Sequence, residues 1–304
     1  MCMDFWERIM IPERIRIPAL GGIWYRFLSR IMRWKIKKTP SDALSLNMAP
    51  RAHKLICTLT SFPDRINTVQ YTIKSLFLQS LKPDRIVLWL AEDEFKNREL
   101  PESIKALMQH GLEVRYCDNL FGHKRYYKLL PEQKADELIV MFDDDILFQK
   151  HLLRRLYRKW QQYPGCIVCD RGQVLTYVDG EVLNPGRWSA IGAVGVSSPS
   201  FRILASPGGG CLIPYGALYK DACAVEKIQQ YAIKTGDLWL MFMAVQNNTK
   251  IIRSYRYHRI FILAEDFQTV QLGKEAIYKG RYLQTFHDLC KAYPEAYKNM
   301  VSEL

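Results

Sequence analysis

No run of about 18 uninterrupted apolar residues occurs in this 304-residue chain, which argues against a helix that spans a membrane. No apolar stretch ending in a small-residue cleavage site follows the start, so the body is expected to stay in the cytoplasm. The cysteines are few and scattered (Cys2, Cys57, Cys117, Cys166, Cys169, Cys211, Cys223, Cys290), a pattern of reduced thiols rather than of a disulfide frame. Cys166 and Cys169 form one C-x-x-C pair, but a second pair is lacking and Gly165 to Cys169 reads as a buried strand. Zinc and redox roles are therefore set aside and both are read as core. Internal repeats and low-complexity tracts are absent as well, which leaves one globular domain with an appendage as the simplest organisation.

What the chain does have is 48% hydrophobic residues and a net charge of +12. Its length suffices for a sizeable core, and its charge asks for an anionic partner. Half of that charge lies before Pro40, where nine basic residues (Arg8, Arg14, Arg16, Arg26, Arg30, Arg33, Lys35, Lys37, Lys38) face three acidic ones. Trp6, Trp24, Tyr25, Trp34 and many aliphatic residues are interleaved with them. Residues 1–50 are thus expected to be a basic amphipathic segment, with residues 1–40 on an anionic membrane surface at the inner face of the plasma membrane. The alternative is a basic-faced helix packed on the domain. Nucleic acid is not an expected partner, because no recognisable basic module stands outside this segment.

Thr39-Pro40-Ser41-Asp42 reads as a turn or linker, and residues 51–304 as the main domain. Leu55 to Thr60 has the texture of a strand, Ser61 to Arg65 of a loop, and Val69 to Leu81 of a helix. The pattern repeats with a strand over Asp84 to Leu90, a helix over Glu102 to His110 and a strand over Leu112 to Tyr116. This alternation predicts an α/β fold with a mostly parallel, Rossmann-like sheet flanked by helices. After a helix expected over Lys124 to Leu130, the apolar run Leu138 to Phe142 reads as a central strand covered on both faces. Further helices are expected over Lys150 to Gln162, Lys220 to Thr235 and Asp237 to Asn247, and a strand over Lys250 to Tyr255.

The central strand runs into Asp143-Asp144-Asp145. Ligands of open α/β sheets bind at the carboxyl ends of strands, and three adjacent carboxylates there repel one another unless a cation compensates them. A Mg2+- or Mn2+-like ion held by one or two carboxylates completes its shell with water and substrate phosphates. The plainer role for such a run is to cap the following helix, for which one Asp suffices.

With these residues in view, Leu138 to Leu147 resembles the D-x-D segment of nucleotide-sugar glycosyltransferases of the GT-A fold, closest to the family 2-like enzymes of bacterial surface polysaccharide assembly. Leu55 to Arg65 (LICTLTSFPDR) resembles the first strand and nucleotide-contacting loop of that fold, and Thr235 to Trp239 its later acidic motif. The resemblance implies metal-dependent transfer of a sugar from a nucleoside-diphosphate donor, such as a uridine nucleotide, to a hydroxyl of a lipid-linked or oligosaccharide acceptor. It also implies a donor site of Thr60, Ser61, Phe62, Arg65, Lys128, Asp143 and Asp144, with the metal on Asp145 and Asp143 and a late histidine, His258. Asp237 would be the base of an inverting reaction, and Gly208, Gly209, Gly210 and Trp239 would lie on the acceptor side. Gly236 departs from the family by standing where a second acidic residue often precedes the base, which leaves an N-cap role open for Asp237.

Two other readings share the frame. A nucleotidyltransferase has the same α/β core and a metal-carboxylate site, although Ser61-Phe62-Pro63 is a poor cradle for a triphosphate. A non-catalytic scaffold of a polysaccharide-assembly complex would keep the fold without turnover.

Overall fold

The computed structural model describes residues 29–178, 181–182, 188–190, 198–254, 262–263 and 280–303. Its first half is the alternation expected from sequence: β1 (Lys54–Thr60), α1 (Val69–Phe77), β2 (Arg85–Ala91), α2 (Glu102–Met108), β3 (Leu112–Cys117) and β4 (Glu137–Phe142). All six residues of β4 are buried, as a strand covered on both faces requires. The second half comprises β5 (Ile146–Leu147), α3 (Leu152–Gln162), β6 (Ile167–Cys169), β7 (Gly172–Val174), β8 (Tyr177–Val178), β9 (Glu181–Val182), β10 (Ser189–Ala190), β11 (Ile203–Ala205) and β12 (Gly209–Pro214). It ends with α4 (Gly236–Gln246), β13 (Ile251–Arg253), β14 (Ile262–Leu263), α5 (Arg281–Ala292) and α6 (Pro294–Val301).

Seven strands form one sheet in the order β13-β6-β12-β4-β1-β2-β3. Strands β4, β1, β2 and β3 are parallel neighbours, and β13 is parallel to β6. Only β12 runs against the rest, antiparallel to β4 on one side and β6 on the other. Its beginning therefore lies beside the carboxyl end of β4, with Gly209 opposite Phe142.

The sheet faces carry different helices. On one face α1, α2 and α3 bury Ile73, Leu76, Ile104, Leu107, Leu152 and Leu156 against Leu55, Leu88, Val140 and Leu212. On α3 the buried positions Leu152, Leu153, Leu156 and Trp160 make one helical stripe, with charged residues elsewhere. The opposite face is covered by α4, in which Leu238 through Val245 are all buried. A helix apolar all round needs partners on its outer side, and α5 and α6 provide Phe286, Leu289, Ala296 and Met300.

Two local readings change. The segment Lys124 to Leu130 is not an α-helix but two 3-10 turns, Phe121–Arg125 and Leu130–Glu132; Pro131 cannot donate the hydrogen bond a continuous helix needs. The stretch Lys220 to Thr235 breaks into a 3-10 turn, a single helical turn and a π-helical turn over Ile228–Ala232.

The expected linker after Thr39 is held down. Leu44 joins the core, and Asp84 accepts hydrogen bonds from Asn47 Nδ2 (2.8 Å), Arg51 Nε (2.7 Å) and the Leu55 amide (2.6 Å). In the helical stretch over 29–37, Ile36 is buried against Leu147, beside Met32, Tyr71 and Leu78. Part of the apolar side assigned from sequence to a membrane surface is thus used in packing on the domain, while Trp34 is left 60% exposed. The earlier part of the basic segment, residues 1–28, lies outside the described residues. No helix among the described residues is long and apolar enough to cross a membrane. All cysteines among the described residues are free, and Cys169 is fully buried in β6.

Candidate functional site

The three aspartates sit where β4 ends and have three different environments. Asp144 points inward and is buried. Its Oδ2 accepts a hydrogen bond from Ser61 Oγ (2.6 Å), its Oδ1 one from Arg65 Nη1 (2.8 Å), and its carbonyl one from Thr72 Oγ1 (2.8 Å). It braces the loop after β1 and the start of α1 against the end of β4. Burial pushes its pKa up, and Arg65 and Ser61 oppose that shift.

Asp145 meets the same guanidinium at 3.0 Å. Burial, then repulsion from Asp143, raises its pKa to about 6 despite Arg65. Asp143 is the most open of the three, with 41% of its side chain exposed, and pairs with Arg125 Nη1 at 2.6 Å. Arg125 is itself held by the carbonyls of Gly122 (2.8 Å) and Phe142 (3.2 Å). Three carboxylates thus face two guanidinium groups, one from the loop after β1 and one from the turn after β3.

Glycine explains how Asp143 fits. A Cβ on Gly208 would lie 1.7 Å from Asp143 Oδ2, and the Asp143 amide donates to the Gly208 carbonyl at 3.0 Å. Gly210 has a φ of +99° at the register shift that opens β12, a backbone state glycine adopts at little cost. The triglycine expected to lie on the acceptor side therefore accommodates a carboxylate and a bulge; a Cβ on Gly209 would meet the Arg171 side chain at 2.8 Å.

Asp237 lies in the first turn of α4 and is half-buried. Its Oδ1 accepts from the Leu238 amide at 3.0 Å, and its Oδ2 from the hydroxyl of Tyr282 on α5. Burial raises its pKa, opposed by these two donors and by the charge of Arg125. Arg125 thus acts electrostatically on Asp237 while it pairs with Asp143. The turn that carries it is fixed by His123, which is buried, donates from Nε2 to the Ala232 carbonyl (2.9 Å) and accepts from the Tyr126 hydroxyl at Nδ1. Burial lowers the His123 pKa to about 4, so at neutral pH the ring is an uncharged connector between the Arg125 turn and the π-helical turn preceding α4.

The other residues singled out from sequence fall into three groups. Thr60, Ser61, Phe62 and Arg65 share the loop beside the aspartates: Thr60 Oγ1 donates to the Trp89 carbonyl at 2.8 Å, and the Arg65 guanidinium lies 5.2 Å from the centre of the Phe62 ring. Lys128 and Trp239 are not brought there. Lys128 is half exposed, 4.0 Å from Asp118 and over the Tyr127 ring; it stands between the two 3-10 turns rather than in a helix, and Arg125, in the first of them, reaches the aspartates instead. Trp239 is fully buried, donating from Nε1 to the Ala222 carbonyl at 2.9 Å and packing edge-on against Tyr293. It is a core residue because every side of α4 is covered. His258 lies outside the described residues.

Sequence reasoning missed Arg125, His123 and Tyr282. Arg125 lies in the segment Lys124 to Leu130 expected as a helix and His123 just before it, whereas Tyr282 has no local signature and is recognisable only through the packing of α5.

A metal would have to rest on Asp143 and Asp145. Among the described residues no set of three or more His, Cys, Asp or Glu side chains converges as a metal cage. Two carboxylates nonetheless suit Mg2+ or Mn2+, which take few protein ligands and fill their shell with water and phosphate oxygens. The strain recorded in the raised pKa of Asp145, burial plus a neighbouring like charge, is of the kind a dication relieves. The donor set fits.

No known family profile and no curated protein matches the chain. Among solved structures it is similar to the 4-diphosphocytidyl-2C-methyl-D-erythritol synthase of Anaerococcus prevotii, at 14% identity and a TM-score of 0.39, over 77% of this chain and 100% of that one. A second structure of a synthase of that name gives 12% identity, a TM-score of 0.42 and the same coverage. These matches do not transfer an activity. They do correct the expected membership of glycosyltransferase family 2, since no family or curated protein supports it and the solved structures matched are named as synthases. The nucleotide-sugar donor, the lipid-linked or oligosaccharide acceptor, the polysaccharide-assembly setting and the anionic membrane partner are withdrawn with it.

Proposed function

We propose that the protein is an enzyme of nucleotide phosphate chemistry, a metal-assisted nucleotidyltransferase. In this reading an oxygen nucleophile attacks the α-phosphorus of a nucleoside triphosphate and pyrophosphate leaves. The observation that carries it is the meeting of three carboxylates with guanidinium groups from two separate loops at the carboxyl end of β4, the edge of an α/β sheet at which ligands bind.

Sequence alone argued against a triphosphate because the first loop has no basic, glycine-rich cradle. Arg65 and Arg125 answer that objection, since positive charge comes from two loops instead of one. Planar guanidinium groups match phosphate oxygens in a fixed fork geometry. Asp143 and Asp145 would hold a Mg2+ or Mn2+ ion, which when bound would stabilise charge gathering on the departing pyrophosphate. Thr60, Ser61 and Phe62 would border the nucleoside, with Asp144 keeping that loop in place. Asp237 is the group available to accept a proton.

Thermal unfolding with each nucleoside triphosphate, with and without magnesium or manganese, tests this reading together with a pyrophosphate-release assay. A triphosphate at about 100 times its dissociation constant adds roughly 2.7 kcal/mol to stability. That gain should require the metal and vanish in Asp145→Asn. No stabilisation by any triphosphate and no pyrophosphate release would sink the proposal.

A further inference from the structure

Phe121 has two properties that local folding does not explain. Its φ is +50°, in the left-handed region that glycine and asparagine enter at little cost and a bulky side chain does not. It is also 37% exposed, so burial of the ring does not fully offset that strain. The surrounding turn fixes it there: the Phe121 amide donates to Asn119 Oδ1 (3.4 Å), the His123 amide to the Leu120 carbonyl (3.0 Å), and the buried His123 ring to the Ala232 carbonyl (2.9 Å). Residues held in strained conformations by their surroundings gather at active sites and ligand clamps. The ring also carries a cation, since the exposed Lys234 places its Nζ 5.1 Å from the ring centre.

This ring is tied to the triple aspartate by a short chain of contacts. Phe121 opens the 3-10 turn that ends at Arg125. Arg125 pairs with Asp143 at 2.6 Å and donates from Nε to the carbonyl of Gly122 (2.8 Å), the residue next to Phe121. The turn closes on the neighbouring strands: Thr58 Oγ1 of β1 donates to the Arg125 carbonyl (2.6 Å), and Asn119 Nδ2 to Glu94 Oε1 in the loop after β2 (3.1 Å). The loop after β1 reaches the same place, with Thr60 Oγ1 and the Ser61 amide both donating to the Trp89 carbonyl of β2 (2.8 and 3.4 Å). One short turn thus presents a guanidinium at one end and an exposed ring at the other, and a nucleotide has a charged end and a flat apolar end.

Resting on the nucleotidyl-transfer reading, we infer that Phe121 is the platform on which the nucleobase stacks and that Lys234 donates a hydrogen bond to a carbonyl oxygen of that base. An aromatic face accepts any base, because every base has a π-face. Selection therefore falls to Lys234. An ammonium lying over the ring is within reach of the oxygen-bearing edge of a base stacked there, and it can only donate. It favours guanine, cytosine and uracil, which carry ring carbonyls, over adenine, which has an amino donor in place of one.

The experiment is calorimetric titration of the full chain, in magnesium, with guanosine, cytidine, uridine and adenosine triphosphates and with inorganic tripolyphosphate, which has the charge but no base. At least one carbonyl-bearing nucleotide should bind more tightly than both tripolyphosphate and the adenosine nucleotide. Phe121→Ala should weaken that nucleotide by roughly 5- to 150-fold, the worth of one base stacked on an aromatic ring, and leave tripolyphosphate within about twofold. Phe121→Asn, which suits the left-handed backbone, should bind as weakly without losing thermal stability, whereas Phe121→Tyr should bind as the natural chain does. Lys234→Met should narrow the preference over the adenosine nucleotide by about tenfold or more. The inference is overturned if Phe121→Ala weakens tripolyphosphate equally or weakens neither ligand, if no nucleotide binds more tightly than tripolyphosphate, or if the base preference survives Lys234→Met. A natural chain that binds neither tripolyphosphate nor any nucleotide fails the nucleotidyl-transfer reading itself, a result obtained before any variant is made.

Discussion

The two acidic centres of the molecule solve the same electrostatic problem by different means. At the end of β4, three neighbouring carboxylates are compensated by full positive charges, with Arg65 shared between Asp144 and Asp145 and Arg125 on Asp143. At the start of α4, the single carboxylate of Asp237 is compensated by neutral donors, the Tyr282 hydroxyl and a backbone amide, with Arg125 acting only at a distance. Charge pairing suits a place where further charge arrives with a ligand, because guanidinium groups can serve either partner. Compensation by neutral donors suits a group that must lose and regain a proton. Arg125 links the two centres.

The largest effect should come from breaking the first centre at its most buried joint. Arg65→Ala leaves Asp144, only 7% exposed, without its cation, which should cost about 3–5 kcal/mol in urea-unfolding free energy. Loss much below 1 kcal/mol would mean that Ser61 and Thr72 alone hold the brace.

Next is the connector between the centres. The folded chain keeps His123 neutral, with a pKa near 4 against 6.5 for the exposed ring. As pH falls below about 6.5 the unfolded chain therefore takes up a proton that the folded chain refuses, so stability is lost progressively down to pH 4, by about 3 kcal/mol for this group. His123→Gln should flatten that part of the pH–stability curve, and an unchanged slope would assign it to other groups.

Breaking the second centre should cost less. Tyr282→Phe removes one donor from a half-buried carboxylate, worth about 1–3 kcal/mol, and should leave the metal-dependent triphosphate shift in place. If that shift disappears, the two centres are not separable. The smallest effect is expected at Lys128, whose half-exposed ammonium touches only Asp118 and a tyrosine ring. Lys128→Ala should alter stability by less than about 0.5 kcal/mol and triphosphate binding hardly at all; a large loss of binding would restore the role it had from sequence.

The contrast also explains what could be read in advance. The triple aspartate was legible because it follows a continuous apolar strand, and continuity along the chain is what sequence displays. Strands β1 to β4 and helices α3 and α4 were legible for the same reason, each being a local periodic pattern. Arg125 was hidden by a change of period, since a turn of three residues per repeat presents different side chains from a helix, and the expected helix containing it yielded Lys128 instead. Trp239 looked like a pocket residue because α4 is apolar on every side, and only the arrival of α5 and α6 shows those sides to be filled. Tyr282 meets Asp237 across 45 residues of chain, a contact made by tertiary packing alone. Strand β12 gave no hint of its direction in the sequence, because direction depends on where the chain re-enters the sheet.

That re-entry has a consequence for how the molecule can change over evolution. The chain leaves the sheet after Asp170 and returns at Gly209, and its neck is tied by backbone hydrogen bonds from the Asp170 amide to the Gly210 carbonyl (3.0 Å) and from the Ser206 amide to the Arg171 carbonyl (2.9 Å). Both ends of the excursion lie at the edge where Asp143 sits, yet the strands on either side close the sheet without it. Because Val174, Leu175, Trp188 and Ile203 to Ala205 of the intervening segment are buried in the core shared with α4, descendants that alter this segment must keep those positions apolar while the aspartates and their arginines stay fixed.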